Sequence, residues 1–75
     1  MDAYDVTLQM IRDSGKTNAT LSRELSDNRY YINSIIKNHT TPRADKLAQL
    51  ADSCGYDLLV RRRNDERETM IDPYD

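Results

Sequence analysis

The chain has 75 residues, 37% hydrophobic and 32% charged, with a formal net charge of −2. That length allows one domain, whose core supplies only roughly 3–5 kcal/mol. A lone cysteine excludes an internal disulfide, and one Cys with one His cannot supply the usual four zinc ligands.

The first helix is predicted over Ala3 to Ser14. Asp2 is placed to cap it, and Asp5 suits its first turn. Tyr4, Thr7, Leu8 and Ile11 recur at helical spacing, with Met10 alongside. Gly15 is a natural residue to follow, since it tolerates positive φ. Thr17 caps a short second helix, Asn18 to Leu25, with Leu21 and Leu25 facing inward. Small Ser22 beside them admits the close approach of a neighbouring helix. Ser26-Asp27-Asn28 is turn and cap chemistry.

The third helix is predicted over Asn28 to Lys37. Ile32, Ile35 and Ile36 form its buried stripe, and Asn28, Arg29, Tyr30, Asn33 and Ser34 take the other faces. Asn38 is the expected left-handed terminator. After His39-Thr40, Thr41 caps a fourth helix whose first residue is Pro42. Leu47, Leu50, Ala51 and Cys54 repeat at i, i+3, i+4 and i+7, and Gly55 closes the helix. Tyr56, Leu58 and Val60 then alternate with Asp57, Leu59 and Arg61, as in a half-buried strand. Asn64-Asp65 suits a turn, Thr69-Met70-Ile71 a second strand, and Pro73 its end.

Charge is segregated along the chain. Residues 16–46 hold six Lys/Arg against three acids, and Arg61-Arg62-Arg63 add three more positive charges. Residues 1–15 sum to −2 and residues 64–75 to −4. Local patches, not the total, decide what a phosphate backbone meets.

Two helices across a short turn, with the second in the major groove, need three things. They need a small residue on the first helix, a tight turn, and an aliphatic anchor behind the reading helix. Ser22, Ser26 and Ile32 stand in those places. From Leu21 to Leu58 the chain resembles the lambda-repressor-like, or Xre-type, helix-turn-helix family. The matching positions are Leu21-Ser22, the turn at Ser26, Ile32, Ile35, Pro42, Leu47, Ala51, and Gly55 before a hydrophobic. With the first helix the resemblance covers about 60 residues.

There are departures. Ser22 stands where alanine is usual and Ser26 where glycine is usual. Asp27 stands where a hydrophobic is usual, and is expected to cap the reading helix. Many members tie the first helix to the end of the reading helix with an arginine–glutamate pair. Ile11 and Ile36 occupy those places here, a coherent swap of charges for apolar volume.

The resemblance implies a mainly α fold: a four-helix DNA-binding domain over residues 1–58, a strand or hairpin extension over 56–72, and a tail at 73–75. It implies base contacts from Asn28, Arg29, Tyr30 and Ser34, with Asn33 in addition. Arg29 suits guanine and Asn28 suits adenine. Phosphate contacts fall to Asn18, Lys37, Thr40, Thr41 and Arg43.

Gly55 to Arg61 also resembles the HipB-like antitoxins and short regulators. There a strand pairs with its twin, which implies a homodimer joined through Leu58, Leu59 and Val60. The functional expectation is a cytoplasmic, sequence-specific regulator of transcription, a dimeric repressor reading an inverted repeat in double-stranded DNA. The alternative is a protein-interaction module on the same fold, binding a toxin or another phage- or mobile-element-encoded partner. No enzyme constellation, cofactor motif or membrane span is read from the sequence.

Overall fold

A computed structural model describes residues 1–74 of the chain. Asp75, the last residue of the expected tail, lies outside the described residues. Four helices are followed by a two-stranded antiparallel sheet: α1 (Ala3–Asp13), α2 (Asn18–Leu25), α3 (Tyr31–Asn38), α4 (Ala44–Ser53), β1 (Leu59–Arg61) and β2 (Glu68–Met70). About half the residues are helical. Among the described residues no helix is long and apolar enough to cross a membrane.

The helix ends follow their side chains. Asp2 and Asp5 form a reciprocal capping box at α1. The Thr17 hydroxyl accepts from the Thr20 amide at 3.1 Å, capping α2. Gly15 (φ 70°) and Gly55 (φ 83°) take the left-handed conformations expected of them. At the end of α4 the Tyr56 amide donates to the Ala51 carbonyl and the Gly55 amide to Asp52, a Schellman closure.

The core gathers one side of every helix. Leu21, Ile32 and Leu50 are fully enclosed, with Tyr4, Met10, Ile11, Leu25, Ile35 and Ala51 around them. Leu8, Tyr31, Leu47, Cys54 and Leu58 pack on this cluster from its rim. Burial pushes the Cys54 thiol up, which disfavours its reactive thiolate. Lys46 of α4 reaches across to donate to the Leu25 carbonyl at 2.7 Å, satisfying a carbonyl left open at the end of α2.

Several expectations are corrected. The third helix begins at Tyr31, not Asn28. The left-handed residue at its end is His39 (φ 56°), not Asn38, which stays helical. Ile36 is 38% exposed and is not part of the buried stripe. α3 packs chiefly on α2, and Ile32 and Ile35 alone of the three isoleucines are buried. Ile11 is buried in the core, and Tyr4 of α1 bonds the end of α3. The Tyr4 hydroxyl donates to the Ile36 carbonyl at 3.2 Å, and its ring stacks on His39 at 4.1 Å. α4 begins at Ala44 with Arg43 in the cap position, so Thr41 and Pro42 precede the helix. The Leu47 amide reaches the Arg43 carbonyl at 2.7 Å, which fixes that start.

The strands also differ from the half-buried segment expected from Tyr56. β1 starts at Leu59, and β2 is set one residue earlier than Thr69–Ile71. Leu59 pairs with Met70, Val60 with Thr69 and Arg61 with Glu68, and all six are exposed. The hairpin stands off the helices, with only the flanking Leu58 and Ile71 drawn partly inward.

Tyr56 fastens the base of the hairpin to α1 by donating to the Asp13 carboxylate at 2.7 Å. That bond, the largest cause, pushes the phenol above its ordinary value of 10.0. A raised phenol stabilises the fold while protonated, so the contribution is present below pH 10.0 and lost as pH climbs through the raised value. Urea unfolding should therefore find wild type more stable than Tyr56→Phe at neutral pH. That advantage should vanish in strong alkali.

Candidate nucleic-acid interface

The surface of interest is built around the connection between α2 and α3. Ser26 and Asn28 shape it with their own side chains. The Ser26 hydroxyl accepts from the Asn28 amide at 3.1 Å, and Asn28 Oδ1 accepts from the Tyr30 amide at 2.9 Å. The Asn28 carbonyl then takes the Tyr31 amide at 3.0 Å. These local bonds hold residues 28–30 in turns and delay the helix. Asp27, expected as the cap, is exposed, and no hydrogen bond to its carboxylate occurs among the described residues. Asn28 instead closes the turn ahead of the helix, by accepting from the Tyr30 amide.

The helix is then locked from behind. The buried Ser22 hydroxyl accepts from the Ile32 amide at 3.0 Å. Neither residue has any exposed surface, so the bond is shielded from water. Serine at this position therefore supplies a cap as well as small volume, since Tyr30 caps with no side-chain bond of its own.

With its inner side fixed, α3 turns Asn33, Ser34 and Lys37 to solvent. Arg29 and Tyr30 are exposed just ahead of it, and Tyr30 is 53% exposed. The Arg29 guanidinium sits over the Tyr30 ring, with Cζ 4.9 Å from the ring centre. An open cleft of about 310 Å³ joins these residues to the start of α2. Its walls are Asn18, Ala19, Arg29, Tyr30 and Asn33. Asn33 and Lys37 lie one turn apart on the same face of α3, and Arg29 precedes the helix in the turn.

Of the expected base-contacting residues, Arg29, Tyr30 and Asn33 meet in this cleft. Ser34 is exposed one position beyond, and Asn28 is bound into the turn. Of the expected phosphate contacts, Asn18 lies on the cleft wall. Lys37, Thr40, Thr41 and Arg43 are exposed along and after α3, and Arg43 is paired with Asp45 at 3.5 Å. Ala19 was not expected. The signal for it is positional: it is the second residue after the Thr17 cap, on the turn that faces Arg29.

Two tyrosines behave differently. Tyr31 packs on the core rim, and burial first and Asp45 second push its phenol up. Tyr30 remains outward under Arg29. Of the expected dimer residues, Leu58 is drawn toward the core, while Leu59 and Val60 are 46% and 58% exposed. Among the described residues no group of three His, Cys, Asp or Glu is placed to hold a metal ion. Comparison of the chain with protein-family patterns, characterised proteins and solved structures gives no match.

The Ser22–Ile32 bond generates a direct expectation. Ser22→Ala leaves a buried amide without a partner and should cost about 1–3 kcal/mol of stability. Chemical denaturation measures this, and Ser22→Thr restores the hydroxyl at the expense of one added methyl.

Proposed function

We propose that the chain is a sequence-specific double-stranded DNA-binding regulator, acting through a helix-turn-helix formed by α2 and α3. The observation that carries this reading is the exposed polar front around Arg29, Tyr30, Asn33 and Lys37, backed by buried Ile32 and Ile35. A helix presented in this way fits the major groove. Arg29 supplies a planar fork for guanine, and Asn33 and Ser34 supply amide and hydroxyl groups for base edges. Lys37, Thr40, Thr41 and the start of α2 at Asn18 supply phosphate contacts.

Regulation by repression as a homodimer completes the proposal. β1 is paired on one side by β2, and the register leaves the backbone groups of Leu59 and Arg61 directed to the other edge. The pairing of Ile71 with Leu58 and of Arg62 with Arg67 sets that alternation. Exposed Leu59 and Val60 favour covering of this edge by a second copy. Two reading helices would then lie about 34 Å apart, matching an inverted repeat.

Selection of bound sites from random duplexes tests the reading, with an inverted repeat as the expected product. On a selected site, Arg29→Ala should cost about 1–3 kcal/mol and relax specificity at one base pair. Lys37→Ala should weaken all sequences alike and reduce the salt slope by about 1. Gel shifts over a salt series separate the two effects, and unchanged affinity in both variants would remove the assignment. A chain that binds no duplex but captures a protein partner would fit the interaction-module alternative.

A further inference from the structure

The cleft between α2 and α3 has a composition that a phosphate contact does not need. Ala19 and the Tyr30 ring supply apolar wall, Asn18 and Asn33 supply amides, and the Arg29 guanidinium carbon sits over the Tyr30 ring, 4.9 Å from its centre. Arg29 has no acidic partner among the described residues. Contact with an aromatic ring restricts where the guanidinium can sit and leaves its hydrogen-bonding groups for a ligand.

A guanidinium edge bonds guanine O6 and N7. In a duplex, the base on the 5′ side of that guanine then brings its 5-position toward the guanidinium face. If that base is a 5-methylpyrimidine, its methyl meets apolar surface there. Alanine and aromatic side chains are suitable partners for such a methyl.

We propose that this cleft is a methyl-reading subsite. Arg29 bonds a guanine, and the cleft it shares with Ala19 and Tyr30 receives the 5-methyl of the pyrimidine 5′ to it. The preferred step is thymine followed by guanine, with 5-methylcytosine sharing the same methyl chemistry. Tyr30 acts as a positioning residue for Arg29 as well as part of the wall. The inference rests on the DNA-binding reading and deepens it by naming what one part of the surface recognises.

The test uses two random duplex pools, one containing thymine and one with uracil in its place, which removes only the methyl. The full chain should enrich sites with a thymine–guanine step from the first pool. On such a site, uracil at that thymine should weaken binding about fourfold, the worth of one buried carbon. Tyr30→Ala should lower the ratio of thymine to uracil affinity toward one, whatever its overall affinity, and Tyr30→Phe should keep the wild-type ratio. With the thymine replaced, 5-methylcytosine should bind more tightly than cytosine.

Enrichment of identical sites from both pools, with equal affinity, would overturn the subsite and leave DNA binding intact. Cytosine matching its methylated form, or thymine preference surviving in Tyr30→Ala, would overturn it equally. If neither pool enriches any sequence, the regulator reading falls together with the subsite.

Discussion

The contact between Ser22 and Ile32 holds the exposed polar face of α3 in place. A hydroxyl on α2 takes the amide of the second residue of α3, and both lie inside the molecule. The bond sets where α3 begins, and the Ile32 side chain beneath it sets which way the helix is rolled. Leu21 and Leu50 close the same spot from α2 and α4. A different roll would turn Ile32 or Ile35 to water and bring Asn33 or Ser34 inside. Burial of such polar groups without partners is costly, so one orientation is strongly selected.

The far end of α3 is held by other means. The Tyr4 hydroxyl donates to the Ile36 carbonyl, and the Tyr4 ring lies against His39 where the chain turns left-handed. α3 therefore has one polar anchor from α2 at its start and one from α1 at its end. A helix of eight residues is too short to persist alone in water. These anchors and the isoleucine side let it stand with a polar front. The front is thus organised before any partner arrives, which lowers the ordering entropy lost on association.

Much of this was legible in the residues. Asp2, Thr17, Gly15 and Gly55 announced helix ends because their preferences come from local sterics and hydrogen bonding, which tertiary contacts left undisturbed. Ile32, Ile35, Leu50 and Ala51 followed from spacing. The start of α3 is not legible because Asn28 and Ser26 are equally at home as caps and as turn residues, and the amides their side chains accept from decide between the two. Ile36 was misjudged because periodicity gives the width of an apolar stripe but not how many neighbours cover it. The Tyr4–Ile36 bond is a contact across 32 residues, with no sequence signature. The cleft was half visible: Arg29, Tyr30 and Asn33 were singled out, whereas Ala19 is unremarkable until the two helices meet.

The hairpin carries a further consequence in its brevity. An uncovered strand edge bearing Leu59 and Val60 is a template onto which copy after copy could add, as in a fibril. Here the ladder is three residues long and runs at once into Arg61-Arg62-Arg63. In a growing stack, each added strand would set those guanidinium groups about 4.8 Å above their predecessors. Repulsion would accumulate with every layer while the apolar gain per layer stayed small. The arginines thus work as a stop that penalises an endless polymer grown on this edge.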